Sequence, residues 1–180
     1  VLEKAYGPEH PDIAAVLNNL AGVIQASGRP LAPEPLYLRA LAICEKKLDT
    51  EHPLTASILN NLAVIYEREN QYDKAEPLIL RAISIAEKAN DPENPLLATY
   101  LNNLAEIYVK QHHYSKAEPL CRRALAIRES RLGPEHPKMA ESLITQAELC
   151  RAQKQYSAAD VLFMRAEAIE KKTLGPNNPT

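Results

Sequence analysis

Asparagine is a poor helix former, costing roughly 0.5 kcal/mol against alanine in a helix interior. The chain nevertheless repeats it in pairs, Asn18-Asn19, Asn60-Asn61 and Asn102-Asn103, each pair 42 residues after the last. A side-chain amide offers both donors and acceptors, so a row of them can hold the backbone of an extended peptide whatever its sequence. The same capacity would serve a hydrogen-bond ladder between neighbouring helices. Both roles stay open; peptide contact is assigned first to Asn19, Asn61 and Asn103, and the ladder first to Asn18, Asn60 and Asn102. Arg68, Lys110 and Arg151 stand near the ends of the same segments and could pair with an acidic segment of a partner. A solvated helix face explains such isolated charges equally well.

Other reactive side chains fall under the same repeat. Arg39, Arg81, Arg123 and Arg165 share one place, which points to a structural or solvent-facing position. His10, His52 and His136 recur 42 apart, and histidines in separate repeats do not converge on one metal; they read as turn or cap residues, and His112-His113 as a loop pair. Cys121 and Cys150 occupy positions held elsewhere by Ile79 and Tyr66, so they read as core. There is no phosphate loop, nucleophile elbow or HExxH. Catalysis needs unlike groups meeting once, whereas like groups recurring in every unit make a binding surface. No catalytic residue, metal or cofactor is expected.

The elements that must carry these residues follow from one motif. Gly7-Pro8-Glu9-His10-Pro11 returns in related form at Asp49, Asp91, Gly133 and Gly175, so every step is 42. Fixed self-similarity at this length marks a repeat architecture. Proline opens the first amphipathic stretch of each unit, where its missing N–H is lost at no cost. Leu59, Leu62, Ala63 and Tyr66, and likewise Leu101, Leu104, Ala105 and Tyr108, lie on one helical face. In the second stretch Asp73-Lys74-Ala75-Glu76 and Ser115-Lys116-Ala117-Glu118 read as capping boxes, with Tyr72, Tyr114 and Tyr156 as hydrophobic staples. The buried face then runs Ala75, Leu78, Ile79, Ala82, Ile83, Ile85. A lone hairpin cannot cover its apolar face, and stacking hairpins can.

Composition agrees. Hydrophobic residues are 46% of the 180, enough for a core, while five glycines, one phenylalanine and no tryptophan argue against a sheet. A net charge of −2 speaks against nucleic acid, and no basic amphipathic face or apolar run suits a membrane. Three widely spaced cysteines make no disulfide framework and suit a reducing, cytoplasmic setting.

Leu59-x2-Leu62-Ala63-x2-Tyr66, eight residues, then Ala75-x3-Ile79-x2-Ala82 resembles the tetratricopeptide repeat. With Asn-Asn-Leu-Ala in the first helix, Ala-Glu-Pro-Leu in the second and 42 rather than 34 residues, it is similar to the kinesin light chain type, over essentially the whole chain. The resemblance implies an all-α solenoid of antiparallel helical hairpins, a TPR superhelix whose first helices line a concave groove. It also implies asparagines that grip a peptide backbone, and acidic cargo motifs. No heptad region of the kind that joins a motor heavy chain is present.

Two departures stand out. Gly28-Arg29-Pro30-Leu31-Ala32-Pro33 lacks the usual turn residues, so the second helix of repeat one should start late; repeat four carries Ile144-Thr145-Gln146 in place of Asn-Asn-Leu. The expectation is therefore one repeat domain over 1–180, with repeats at about 12–48, 54–90, 96–132 and 138–174 and partial repeats at both ends, as in a window on a longer array. Its expected function is to bind an extended segment of a protein partner, as adaptor or scaffold. The second reading is a spacer, or end-to-end self-association within a larger signalling protein.

Overall fold

Each loop proline starts a helix, and each run of 42 residues yields two. The computed structural model describes residues 7–27, 32–89, 91 and 93–174. Among them are eight α-helices: α1 (Pro11–Ser27), α2 (Glu34–Lys47), α3 (Pro53–Arg68), α4 (Tyr72–Lys88), α5 (Pro95–Lys110), α6 (Tyr114–Leu132), α7 (Pro137–Ala152) and α8 (Tyr156–Leu174). They fall into two compact units, Val1–Asn90 and Asp91–Thr180. Each unit is two helical hairpins, α1/α2 with α3/α4 and α5/α6 with α7/α8. This is an all-α repeat fold.

In the first unit α3 inserts Ile58, Leu62 and Ile65 into the core made by Ile13, Leu17 and Ala21 of α1 with Tyr37, Ala40 and Ile43 of α2. Ala63 and Ala105, expected on the apolar face, are fully buried. In the second unit Met139, Ala140 and Leu143 of α7 close on Ala166 and Ile169 of α8, with Leu125 of α6 against them.

The loop motif is explained residue by residue. The Nδ1 atoms of His10, His52 and His136 accept from the backbone N–H groups of Asp12, Leu54 and Lys138, at 3.3, 3.1 and 3.1 Å, and Asn94 Oδ1 accepts from Leu96 at 2.9 Å. These histidines are N-caps. His52→Ala is expected to cost about 1 kcal/mol and His52→Asn almost nothing, because Asn94 already performs the same task; chemical denaturation of the two variants separates them. The glutamate before the cap reaches the far end of the same repeat: Glu9 to Lys46 at 2.6 Å, Glu51 to Lys88, Glu93 to Arg131 at 3.7 Å and Glu135 to Lys172. Each clip is exposed and screened by solvent, so its repetition matters more than any one copy.

The hairpin turns correct the expected capping boxes. α4 and α6 begin at Tyr72 and Tyr114, before Asp73 and Ser115, and neither N-terminus has a side-chain cap. The turn is instead made by the end of the preceding helix. Asn70, His112 and Lys154 take left-handed backbone (φ 58°, 61° and 63°). Gln71, His113 and Gln155 then donate back to the carbonyls of Tyr66, Tyr108 and Cys150 at 2.7–2.8 Å. This is a Schellman ending that uses no glycine. The tyrosines are not staples either: Tyr72 Oη donates to Asn70 Oδ1 at 2.7 Å, and Tyr114 Oη lies 2.8 Å from His112 Nδ1. In repeat one α2 does start late, at Glu34 behind Pro33 and without a side-chain cap. The rest of that turn, and the expectations placed on Val1–Tyr6 and on the final residues, lie outside the described residues.

Candidate functional site

In the first unit the asparagines of α1 and α3 meet. Asn61 Nδ2 donates to Asn18 Oδ1 at 3.0 Å, and Asn60 Nδ2 to Asn61 Oδ1 at 3.4 Å. Asn60 is buried, Asn18 and Asn61 are half-buried, and Asn19 is exposed. In the second unit Asn102 is buried and donates to Thr145 Oγ1 at 2.9 Å, while its own Oδ1 has no partner. Thr145 stands where Asn61 stands in the earlier repeat, so the replaced residue of repeat four keeps the rung. The first asparagine of a repeat thus bonds the second-asparagine position of the next, in Asn18–Asn61 and again in Asn102–Thr145. Asn103 is half-buried on α5.

On α3 and α5 one accessible face is a narrow, mostly polar stripe. On α3 it runs Ser57, Asn61, Val64, Arg68, and on α5 Thr99, Asn103, Glu106, Lys110. Steps of four, three and four keep each set on one face. Asn61 spends one of its two N–H groups on Asn18 and keeps the other. Arg68 and Arg151 are exposed and in no salt bridge among the described residues, and Lys110 is exposed at the end of α5. Arg68 and Lys110 share one repeat position; Arg151 is displaced by one residue and stands where Glu67 and Val109 do. The stripe of the first unit carries Arg68 and no acid, whereas Glu106, Glu141 and Glu148 belong to that of the second.

Two of the recurring arginines tie consecutive second helices together, Arg81 to Glu45 at 2.5 Å and Arg165 to Glu129 at 3.7 Å, while Arg39 donates to the Pro8 carbonyl at 3.3 Å. Tyr66 Oη crosses from α3 to donate to Glu34 at 2.7 Å, and this carboxylate, with burial adding to it, pushes the phenol up to about 12. Burial pushes the Cys121 thiol up to about 12, which makes it inert packing. Cys44 is buried and Cys150 partly so.

One residue has no counterpart among the expected sites. Arg128 on α6 is 1% exposed. It donates to the Lys138 carbonyl, to Ser142 Oγ at 2.8 Å and to Thr99 Oγ1 at 3.3 Å, and pairs with Glu141 at 3.2 Å. Its Nε has no partner, and burial lowers the pKa of the guanidinium despite Glu141. The available signal was the register: Cys44 and Ala86 hold the equivalent places, so a charge there breaks an apolar column.

Among the described residues no three His, Cys, Asp or Glu side chains gather as metal ligands, and no helix is long and apolar enough to cross a membrane. Stacked hairpins with a recurring polar stripe define a helical-repeat protein. The tetratricopeptide repeat model matches residues 12–88, 55–130 and 96–172, and the chain belongs to the tetratricopeptide repeat family. Solved structures place its repeats with the kinesin light chain type. BtubC (BKLC) from P. vanneervenii is similar with a TM-score of 0.77 and 25% identity over 95% of this chain and 69% of its own. A kinesin light chain candidate from Podosopora anserina, with nearly identical TPR-like repeats, is similar in two crystal structures, with TM-scores of 0.71 and 0.67 and 28% and 29% identity. These cover 92% of this chain and 78% of theirs. No curated protein matches. Tetratricopeptide repeats are in general protein–protein interaction modules.

Proposed function

We propose that the chain is an adaptor that holds extended segments of partner proteins against the first helices of its repeats. The observation that carries this reading is the accessible stripe centred on Asn61 and Asn103. A buried ladder alone would not need these two residues at the surface. A strand crossing α1 and α3 would meet Asn19 and then the spare N–H of Asn61; one crossing α5 would meet Asn103. Amide contacts to a peptide backbone favour extended chains without dictating sequence. Sequence preference then comes from the flanking charges. Arg68 in the first unit favours an acidic segment, with Lys110 and Arg151 as the cations of the second. The three glutamates there weaken that preference.

Panning a peptide-display library against the chain tests this. Enriched peptides should lose about tenfold or more in affinity, on the order of 1.4 kcal/mol, on Asn19→Ala/Asn61→Ala/Asn103→Ala, with helical circular dichroism retained. Unchanged affinity removes the groove reading. Acidic enriched peptides should also weaken on Arg68→Glu, and indifference to that change removes the acidic preference alone.

A further inference from the structure

Hairpins built on one pattern raise a problem of order. The second helices present like apolar columns: Tyr37, Ala40 and Ile43 of α2 correspond to Cys121, Ala124 and Ile127 of α6, and all six are buried. Apolar burial is not directional. By that measure α6 could take α3, or the α3 of another copy, as readily as α7. Misassembly of this kind is a characteristic failure of repeat proteins.

One place in the register separates the two junctions. In the first unit Cys44 of α2 and Ile58 of α3 lie in the same core, both fully buried. Two periods on, Arg128 of α6 donates to Ser142 Oγ of α7 at 2.8 Å, and both are at most 1% exposed. The surrounding positions change with them. Ala15 and Ser57 become Thr99 and Glu141, which accept from the guanidinium at 3.3 and 3.2 Å. The fifth and sixth residues of the first helices are Ala15-Val16, Ser57-Ile58, Thr99-Tyr100 and Glu141-Ser142. Only α7 brings a carboxylate followed by a small hydroxyl. The junction lies inside the second unit, where α6 also packs on α5 and α7 on α8.

The two sets do not interchange. With α3 on α6, Ile58 would fall where Ser142 accepts from Arg128, and Ser57 where Glu141 does. The guanidinium would be crowded by an isoleucine and buried without its carboxylate, which is strongly destabilising. With α7 on α2, Ser142 would face Cys44, leaving a void and a hydroxyl without its donor. We propose that Arg128 with Glu141 and Ser142 is a stacking key: it admits α7 to α6, rejects the other first helices, and so fixes the order in which like hairpins assemble. Selectivity here comes from the cost of the wrong pairing, not from the strength of the right one.

Two variants and a refolding experiment test this. Ser142→Ile alone sets Arg128 against an isoleucine and should lower the urea midpoint sharply. The quadruple variant Thr99→Ala/Arg128→Cys/Glu141→Ser/Ser142→Ile installs the first unit's set and should recover most of that loss. Diluted from urea at rising concentration, the natural chain should regain the mass it had before unfolding. The α6 of the quadruple variant accepts the α3 of another copy. That variant should therefore leave at least about tenfold more material in concentration-dependent species of higher mass. Unfolding those species and refolding them at high dilution should disperse them. A quadruple variant no more stable than Ser142→Ile would show that the two sets are not matched, and overturns the proposal. One that misassembles no more than the natural chain would show that order is set elsewhere, and overturns it too.

Discussion

Leu62→Ala is expected to destabilise the chain by about 3 kcal/mol, within the usual 2–5 for a buried leucine, whereas Leu20→Ala should cost under about 1 kcal/mol. The two leucines are 42 residues apart, in the same Asn-Asn-Leu-Ala setting. Leu62 is fully buried, seated among Ile58, Ile65 and the α1/α2 hairpin, and its truncation leaves a cavity that the packed neighbours cannot fill. Leu20 is 47% exposed, so truncation removes atoms that water already reaches. Urea denaturation of both variants provides the comparison. Equal losses would show that α1 is covered in solution as α3 is, and the seating of α3 would then not be what distinguishes them.

Arg128 should give the second large effect, with a size that depends on what replaces it. Arg128→Ala is expected to cost about 2–4 kcal/mol, because it leaves a void and strips a partner from the Lys138 carbonyl and Ser142. Arg128→Met should recover only part of that loss, since it refills the volume but still leaves the Lys138 carbonyl and buried Ser142 without their donor. Removing one partner of a buried ion pair is costly where the other stays buried, but Glu141 is half-exposed and can be solvated, so the loss from the ion pair itself is small. The apolar residues Cys44 and Ala86 at the same register show that the repeat stacks without a charge there. Denaturation midpoints for the two variants decide this; a Met variant as weak as the Ala variant would mean that the hydrogen bonds, and not the filled volume, hold α5, α6 and α7 together.

Much of the fold was legible because a helix records its own buried face in local spacing. Leu59, Leu62 and Ala63 could be assigned to one face from the sequence, and they are buried. Ala75, Ile79, Ala82, Ile83 and Ile85 were equally readable. The late start of α2 was readable too, since Pro33 sits where the other repeats carry alanine. The hairpin turns were not. A box of the form Asp-x-x-Glu is a real cap signal, but the left-handed residues that make these turns are asparagine, histidine and lysine, whose side chains do not announce that conformation as glycine would.

The asparagine pairs mark the limit at the site. Their period made them conspicuous, but their division of labour is a matter of neighbours. Asn18 and Asn61 bond each other because α3 stacks on α1, and Asn102 finds Thr145 because repeat four replaced the amide with a hydroxyl at the matching height.

By itself the sequence determined the 42-residue unit, its two helices and the apolar face of each, since all three depend on separations of a few residues along one chain. Only the tertiary structure decided which copy of an equivalent residue is covered. It leaves Leu20 open and Leu62 closed, and turns Arg128 into a buried clip. Burial belongs to the neighbouring hairpin and not to the residue, and a repeat that reads the same everywhere cannot say where its neighbours are.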